Sequence, residues 1–554
     1  MKRRDAAGTL ALLGRIGRRH APGLAPRKCA LLDLLAQARL PTPRHVTRLH
    51  ELLCYLDAYP DDPRVRNRVR QMLGSFGRRP DLHAHRAALA GSGIAGTDTP
   101  FRFFFPTAQW ISEHWPGALV LDRDDHQAIS DLLAALPLLL PPTQAEWLAT
   151  QDATDFTPVD RLLPAGMTDA DFVNSLIAAM PGDEFSREAF GDRLDLSYVL
   201  RAGRGTPERT TARFDTGTVY LQHAALQTGY PDLRLEARRR PQRVRPLGRR
   251  EARAAIRLAR ISMITRERDL AAFQFADPDD AFLVEDGHGL SFAMLGVMPA
   301  RRATLTSAYT ALTLKNGVPI GYIQVDVLGR HGALSFNTFE TFRGAEAARV
   351  FARFIAAAYQ LFGCTDFSVE PYQLGIGNEE GIESGAWWFY RRFGFRPRAE
   401  QARRIAAREV ARRARRPRYR SSAATLRALA RSHVFYSLVP GRQARLPRTA
   451  DWTAAASQAL RRFRQPDAAM RRNAATAAVL DSLLAGMDMT WSANARAMLD
   501  RWAGLVLAML AHERWKPAER RQLLRLIAAK SGRSERVYLQ RMLQHRRLRR
   551  LFNC

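Results

Sequence analysis

Past residue 275 the apolar residues stop recurring at helical intervals and begin to alternate, and this change limits the possible folds more than any other feature of the chain. Residues 282–285, 290–298, 307–314 and 318–327 read as strands. Lys315-Asn316-Gly317 separates the last two. Asn-Gly between alternating apolar runs predicts a two-residue hairpin, because both residues accept positive φ. A second turn, Gly329 to Gly332, leads into a strand over 333–341. A helix over 345–362, a strand over 367–370, a helix over 384–393 and a last strand complete the series.

Upstream the pattern is mostly helical. Leu31, Leu32, Leu34, Leu35, Leu49, Leu52, Leu53 and Leu56 fall at helix spacing within 27–86. Residues 101–105 read as a short strand or a buried aromatic plug, short strands are expected at 119–121 and 219–222, and a helix over 127–140. The basic, proline-containing stretch 238–246 reads as a linker. A helix is expected over 248–273, its apolar face carried by Ala255, Ile256, Ala259, Met263 and Leu270. After 449 the chain is charged and helical, with Leu499, Trp502, Val506 and Met509 in register. Four regions result: a mixed, largely helical 1–238, an α/β unit over 248–398, a basic helix and strand over 399–448, and a helical 449–554.

The 554 residues leave room for two to four domains. Their net charge of +31 favours polyanions such as nucleic acid. Arginine carries nearly all of it, since the only lysines are Lys2, Lys28, Lys315, Lys516 and Lys530. With abundant alanine, that bias also matches the codon usage of a GC-rich bacterial genome. No apolar run is long enough to cross a bilayer. Met1-Lys-Arg-Arg and the weak apolar patch after it make a poor secretory leader, so a cytoplasmic location is expected. Cys29, Cys54, Cys364 and Cys554 have no metal-ligand or pairing spacing. Asp122, Asp124, Asp125 and His126 read as helix-capping residues rather than metal ligands. No metal site, Gly-x-Ser-x-Gly elbow or phosphate-binding Walker loop is legible.

Two local phrases carry chemistry. Arg343-Gly344-Ala345-Glu346-Ala347-Ala348 opens a helix, where free N–H groups and a partial positive charge suit an anion and small residues allow its approach. Tyr390 stands four residues before Gly394-Phe395, where an aromatic helix breaks into a strand.

The order of elements and these phrases resemble the GNAT superfamily of acyl-coenzyme A-dependent N-acetyltransferases, over about 248–398. The resemblance implies an α/β (α+β) fold: a mixed central sheet flanked by helices, with the helical or mixed regions on either side. It implies an acetyl-CoA or other acyl-CoA co-substrate, its pyrophosphate held around Thr341, Arg343, Gly344, Ala345, Ala347 and Ala348. Glu346 departs from the pattern, standing where the family usually has its central glycine. Tyr390 would protonate the leaving thiolate, a backbone N–H near 339–341 would hold the thioester oxygen, and Glu340 or Glu370 would deprotonate the amine. Tyr372, Asn378, Glu379 and Glu380 lie in a long acidic loop expected to recognise a cationic acceptor, either a small amine or a basic protein side chain. Two alternatives stand beside this reading. One is a GNAT-like transferase that takes an aminoacyl group from transfer RNA, and the other is a non-catalytic nucleic-acid or assembly protein with a decayed core.

Overall fold

Asn316 and Gly317 adopt φ values of 49° and 81°, the two positive angles that a tight hairpin turn demands. They join strands Ser307–Lys315 and Val318–Leu328, which match the alternating runs on either side. The computed structural model of the chain describes residues 6–20, 23–151, 155–465, 467–484 and 491–554. Met1 to Arg4, the start of the expected poor leader, lie outside them.

Two compact units divide the chain. The first comprises Met1–Ala225, Ala254–Gln274 and Lys315–Pro319. Within it, helices Ala6–Gly17, Leu24–Gln37, Pro43–Ala58 and Pro63–Ser75 bury the leucines that the sequence placed at helix spacing. Leu34 is the exception, being exposed. A small sheet follows, made of Thr99–Phe101 (β1), Leu119–Leu121 (β2) and Tyr198–Leu200 (β3), with β3 central. Asp125 caps helix His126–Ala135 by accepting from Ala128 N at 3.2 Å. The strand expected at 219–222 does not form. Tyr220 N instead donates to the Asn316 side chain at 2.8 Å, and Gln222 N to Pro60 O at 2.7 Å.

The second unit comprises Leu226–Arg253, Phe275–Leu314 and Ile320–Cys554. Its sheet takes strands from Arg243–Pro246 (β4), Ala276–Gly287 (β5), Leu290–Val297 (β6), Ser307–Lys315 (β7) and Val318–Leu328 (β8). His331–Thr338 (β9), Asp366–Val369 (β10), Arg396–Pro397 (β11) and Val434–Ser437 (β12) complete it. The order is β11-β12-β10-β9-β8-β7-β6-β5-β4. The sheet therefore extends beyond 248–398 at both ends. The stretch expected to be a linker supplies β4, an edge strand paired with β5.

Strands β9 and β10 run parallel, whereas β8–β9, β10–β12 and β11–β12 are antiparallel. The parallel ladder is short. It ends at Ser368 opposite Ala333, although β9 continues to Thr338. The pairing stops at that rung, one residue before β10 ends, and the space between the end of β10 and the unpaired remainder of β9 is termed the fork.

Helix α1 (Leu233–Arg238) precedes the sheet, and helix α2 (Ala347–Phe362) follows β9 and packs on one sheet face. Phe336 meets Phe351 at 5.4 Å, Phe292 meets Phe354 at 5.7 Å, and Tyr309 stacks on Phe362 at 4.6 Å. Arg353 of α2 pairs with Asp286 of β5 at 2.8 Å and with Glu236 of α1 at 3.0 Å. The guanidinium is buried but has two carboxylates, which offsets its desolvation.

Helices α3 (Glu379–Glu383), α4 (Ala386–Arg392), α5 (Glu400–Arg415) and α6 (Ala423–Ala430) lie between β10 and β12. The C-terminal helices belong to this same unit. Lys530, fully buried, donates to Thr306 O at 2.6 Å and Ser307 Oγ at 3.1 Å and pairs with Glu535. Arg302 reaches Lys530 O at 3.0 Å and Asp277 at 3.3 Å. Among the described residues, no helix is long and apolar enough to cross a membrane.

Candidate active site

Directly opposed residues in a ladder share a sheet face, and faces alternate along a strand. The register Tyr322↔Asn337, Gln324↔Ser335, Asp326↔Ala333 and Ala333↔Ser368 therefore puts these polar side chains on one face of the fork. Phe336 and Leu334 alternate to the other face, the one α2 covers. Gln324 Nε2 donates to Asp326 Oδ1 at 3.0 Å. Among the described residues, Asn337 Oδ1 and Ser368 Oγ are buried without a hydrogen-bond partner. Leaving such atoms unsatisfied costs about 1–3 kcal/mol each, and a polar ligand in the fork would recover it.

Burial raises the Asp326 carboxyl to about 6, with the Gln324 amide opposing the shift and the Glu370 and Glu535 carboxylates adding to it. The same Glu370 acts on His433, whose pKa is lowered by burial. Asp326 is the titratable group that sequence reasoning missed. Gln-x-Asp inside an otherwise apolar strand was the available signal, but only the register shows that it faces the fork.

Tyr390 is 2% exposed, its ring wedged among Phe351, Phe389 and Phe395 at 5.6, 5.4 and 5.7 Å. Burial pushes its phenol well up, and the nearby Tyr322 phenol adds to the effect. The group stays protonated through the physiological range, as a proton donor requires. Its helix ends as the sequence implies. Gly394 takes φ 102°, and Phe395 N donates to Tyr390 O at 3.2 Å. A Cβ at Gly394 would lie 3.2 Å from the Tyr436 ring, so both the conformation and the space call for glycine.

At the start of α2, Gly344 adopts φ 79° in open space, with no atom within 4 Å of a Cβ built there. The first bond of the helix runs from Val350 N to Glu346 O at 2.8 Å, so the N–H groups of Ala347 and Ala348 precede the intrahelical ladder. Glu346 is 4% exposed, makes no side-chain cap and pairs with Arg349 at 3.0 Å. Its charge is answered within the first turn and does not stand open to an incoming anion. Three expected contributors are placed differently. Ala345 N is used by Phe342 O at 3.2 Å, Thr341 is buried within the turn Glu340–Phe342, and Phe339 N donates to Ile320 O at 3.0 Å. The last of these removes Phe339 as an oxyanion donor.

The carboxylates are also redistributed. Glu340 is exposed and lies past the end of β9, in a 3-10 turn rather than on the strand. Glu370 is exposed at the end of β10. Glu379 pairs with Arg427 at 2.8 Å and Glu380 pairs with Arg343, so the acidic loop is compensated rather than free to attract a cation. Asn378 caps α3 by accepting from Gly381 N at 3.1 Å and donates to Tyr372 O at 3.2 Å. Tyr372 is 53% exposed.

Among the described residues, no group of three His, Cys, Asp or Glu side chains is arranged to hold a metal ion. Comparison of the chain with protein-family models, with curated proteins and with solved structures finds no match.

Proposed function

We propose that the second unit is an acyltransferase core that moves an acyl group onto an amine, with its reaction centre in the fork between β9 and β10. The observation that carries this reading is the fork itself. The single parallel pair stops at Ala333 and Ser368, beside a polar face holding Asp326 and two unsatisfied oxygens, and β9 leads on to a helix start. An acyl-CoA would offer its pyrophosphate to Arg343, Gly344 and the N–H groups of Ala347 and Ala348. It would supply the activated acyl group. Asp326, near 6 and on the face away from α2, would accept the proton of the attacking amine, and Tyr390, on the α2 side, would supply one to the departing group, with the acyl group held between them in the fork.

The test is thiol release from acetyl-CoA in the presence of a panel of amines and basic peptides. Turnover with at least one acceptor, reduced by Asp326→Asn and by Tyr390→Phe, is the expected result. Turnover indifferent to both substitutions would remove the fork as the centre of reaction.

A second reading takes the acyl group from transfer RNA. Glu346, buried and paired with Arg349, favours it, because its side chain stands where the donor-binding family has the glycine that lets a pyrophosphate approach. Acyl transfer from charged transfer RNA but not from acyl-CoA would select it.

A further inference from the structure

Five arginines from three separate stretches of chain line one cleft of about 360 Å³ in the second unit. Arg234 comes from α1, Arg396 and Arg398 from around β11, Arg403 from α5 and Arg442 from after β12; Phe435, Tyr436 and Gly394 fill in the walls. No acid lines the cleft, and the carboxylate paired with a lining arginine is Asp366, 3.0 Å from Arg442. Arg398 reaches Ala444 O at 3.1 Å, and Arg396 reaches Phe395 O at 3.0 Å. Carbonyl contacts hold the guanidinium groups in place without neutralising them.

The charge continues out of the cleft along α5. From Arg396 to Arg420 the chain carries eleven arginines and two glutamates. Arg404, Arg408 and Arg412 recur every four residues, one step of about 6 Å along the helix, and all three are exposed. Glu400 pairs with Arg404, and Glu409 is buried and held by Arg412, Tyr419 and Ser421. Arg408, Arg415, Arg416, Arg418 and Arg420 are exposed beyond them. Codon bias explains many arginines, but not why arginines distant in sequence converge on one concave site that a charged row then extends.

We propose that this cleft and α5 form a binding track for single-stranded nucleic acid, in which the cleft clamps backbone phosphate and α5 follows the strand. A row of cations with one-turn spacing matches an extended polyanion better than a compact one. Phe435, half-buried in the lining and stacked on one side by His433 at 6.1 Å, would offer its remaining surface to an unpaired base. Tyr436 does not, because its ring is taken by Phe395 at 5.3 Å and by the Arg234 guanidinium at 5.9 Å. Binding here is independent of whether the fork catalyses transfer.

The experiment is fluorescence anisotropy of the full chain with a labelled 20-nucleotide single-stranded RNA, the same sequence as DNA, and a duplex, over a salt series. Each single-strand phosphate contact contributes about −0.7 to the slope of log K against log salt. Arg403→Glu with Arg408→Glu is expected to weaken single-strand binding at least about tenfold and flatten the slope by about 1.4. Arg396→Gln, in the cleft, is expected to flatten it by about 0.7. Arg461→Glu with Arg472→Glu, equal in charge change but in the C-terminal helical region, should change neither. Equal losses from the two double variants would reduce the effect to general charge and overturn the track. So would preference for duplex, or a cleft that takes inorganic phosphate while the strand does not bind. RNA and DNA arms of similar affinity assign the backbone, and a gap between them assigns the sugar.

Discussion

Arg343 and Glu380 close an ion pair across the mouth of the proposed donor site, joining the loop before α2 to helix α3. Sequence reading gave each a different ligand, the donor's phosphates for one and a cationic acceptor for the other. Both side chains keep substantial exposure, 40% and 34%, and pairs of that kind are worth about 0–1 kcal/mol. A phosphate can therefore displace the glutamate at little cost.

Glu380→Gln should free Arg343 and lower the acyl donor's KM several-fold, with kcat and melting temperature nearly unchanged. Arg343→Gln should raise that KM. Steady-state kinetics with acyl-CoA at fixed acceptor distinguish the two, and a Glu380→Gln enzyme with weakened donor binding would assign Glu380 to the donor instead.

Asp326 makes stability depend on pH with a definite sign. Its folded value of about 6 lies above the ordinary 3.8, so between the two the native state holds the extra proton. Stability contributed by the neutral carboxyl is present below pH 4 and lost as pH rises toward 6, a change on the order of 3 kcal/mol. Asp326→Asn should remove its share of that decline, leaving the share of Asp269, which burial also raises to about 6, measured by urea unfolding at intervals from pH 4 to 8. An unchanged profile in the variant would place the titration elsewhere.

Tyr390→Phe keeps the ring among Phe351, Phe389 and Phe395 and removes only the hydroxyl. The fold should hold while kcat falls by about 10²–10⁴. Wild-type activity should show no limb from phenol ionisation below pH 9. Phe351→Ala, by contrast, empties the centre of that cluster and should cost about 3–5 kcal/mol, seen as a lowered unfolding midpoint.

The Lys530–Glu535 pair is fully buried, and removing Lys530 leaves the Glu535 carboxylate to the Arg302 guanidinium at 3.8 Å and the Ser307 hydroxyl at 2.8 Å. Lys530→Met should destabilise the second unit by about 3–5 kcal/mol, whereas Lys530→Met with Glu535→Leu should lose less than either single change suggests. Chemical denaturation of the four proteins closes the cycle.

What could be read in the sequence was local. Asn316-Gly317 and Gly394 announce themselves because backbone geometry restricts those positions, and the leucine intervals of 27–86 follow from helix periodicity. Arg243 to Pro246 gave no such signal, since an edge strand is made by the partner it pairs with. Residues 219–222 showed the reverse, a strand-like composition whose backbone found other partners. In the fork, Asp326 was missed for the same reason that Glu379 and Glu380 were over-read. Burial in the one case and arginines 37 and 48 residues away in the others decide their charge, and neither follows from spacing.

Gly394 lines the arginine cleft, and four residues before it Tyr390 enters the aromatic cluster beneath the fork. The backbone bond from Phe395 to Tyr390 leaves no slack between them. The wall of the proposed track and the proposed proton donor thus lie within one hydrogen-bonded turn of each other, so a substitution at Gly394 bears on both proposals.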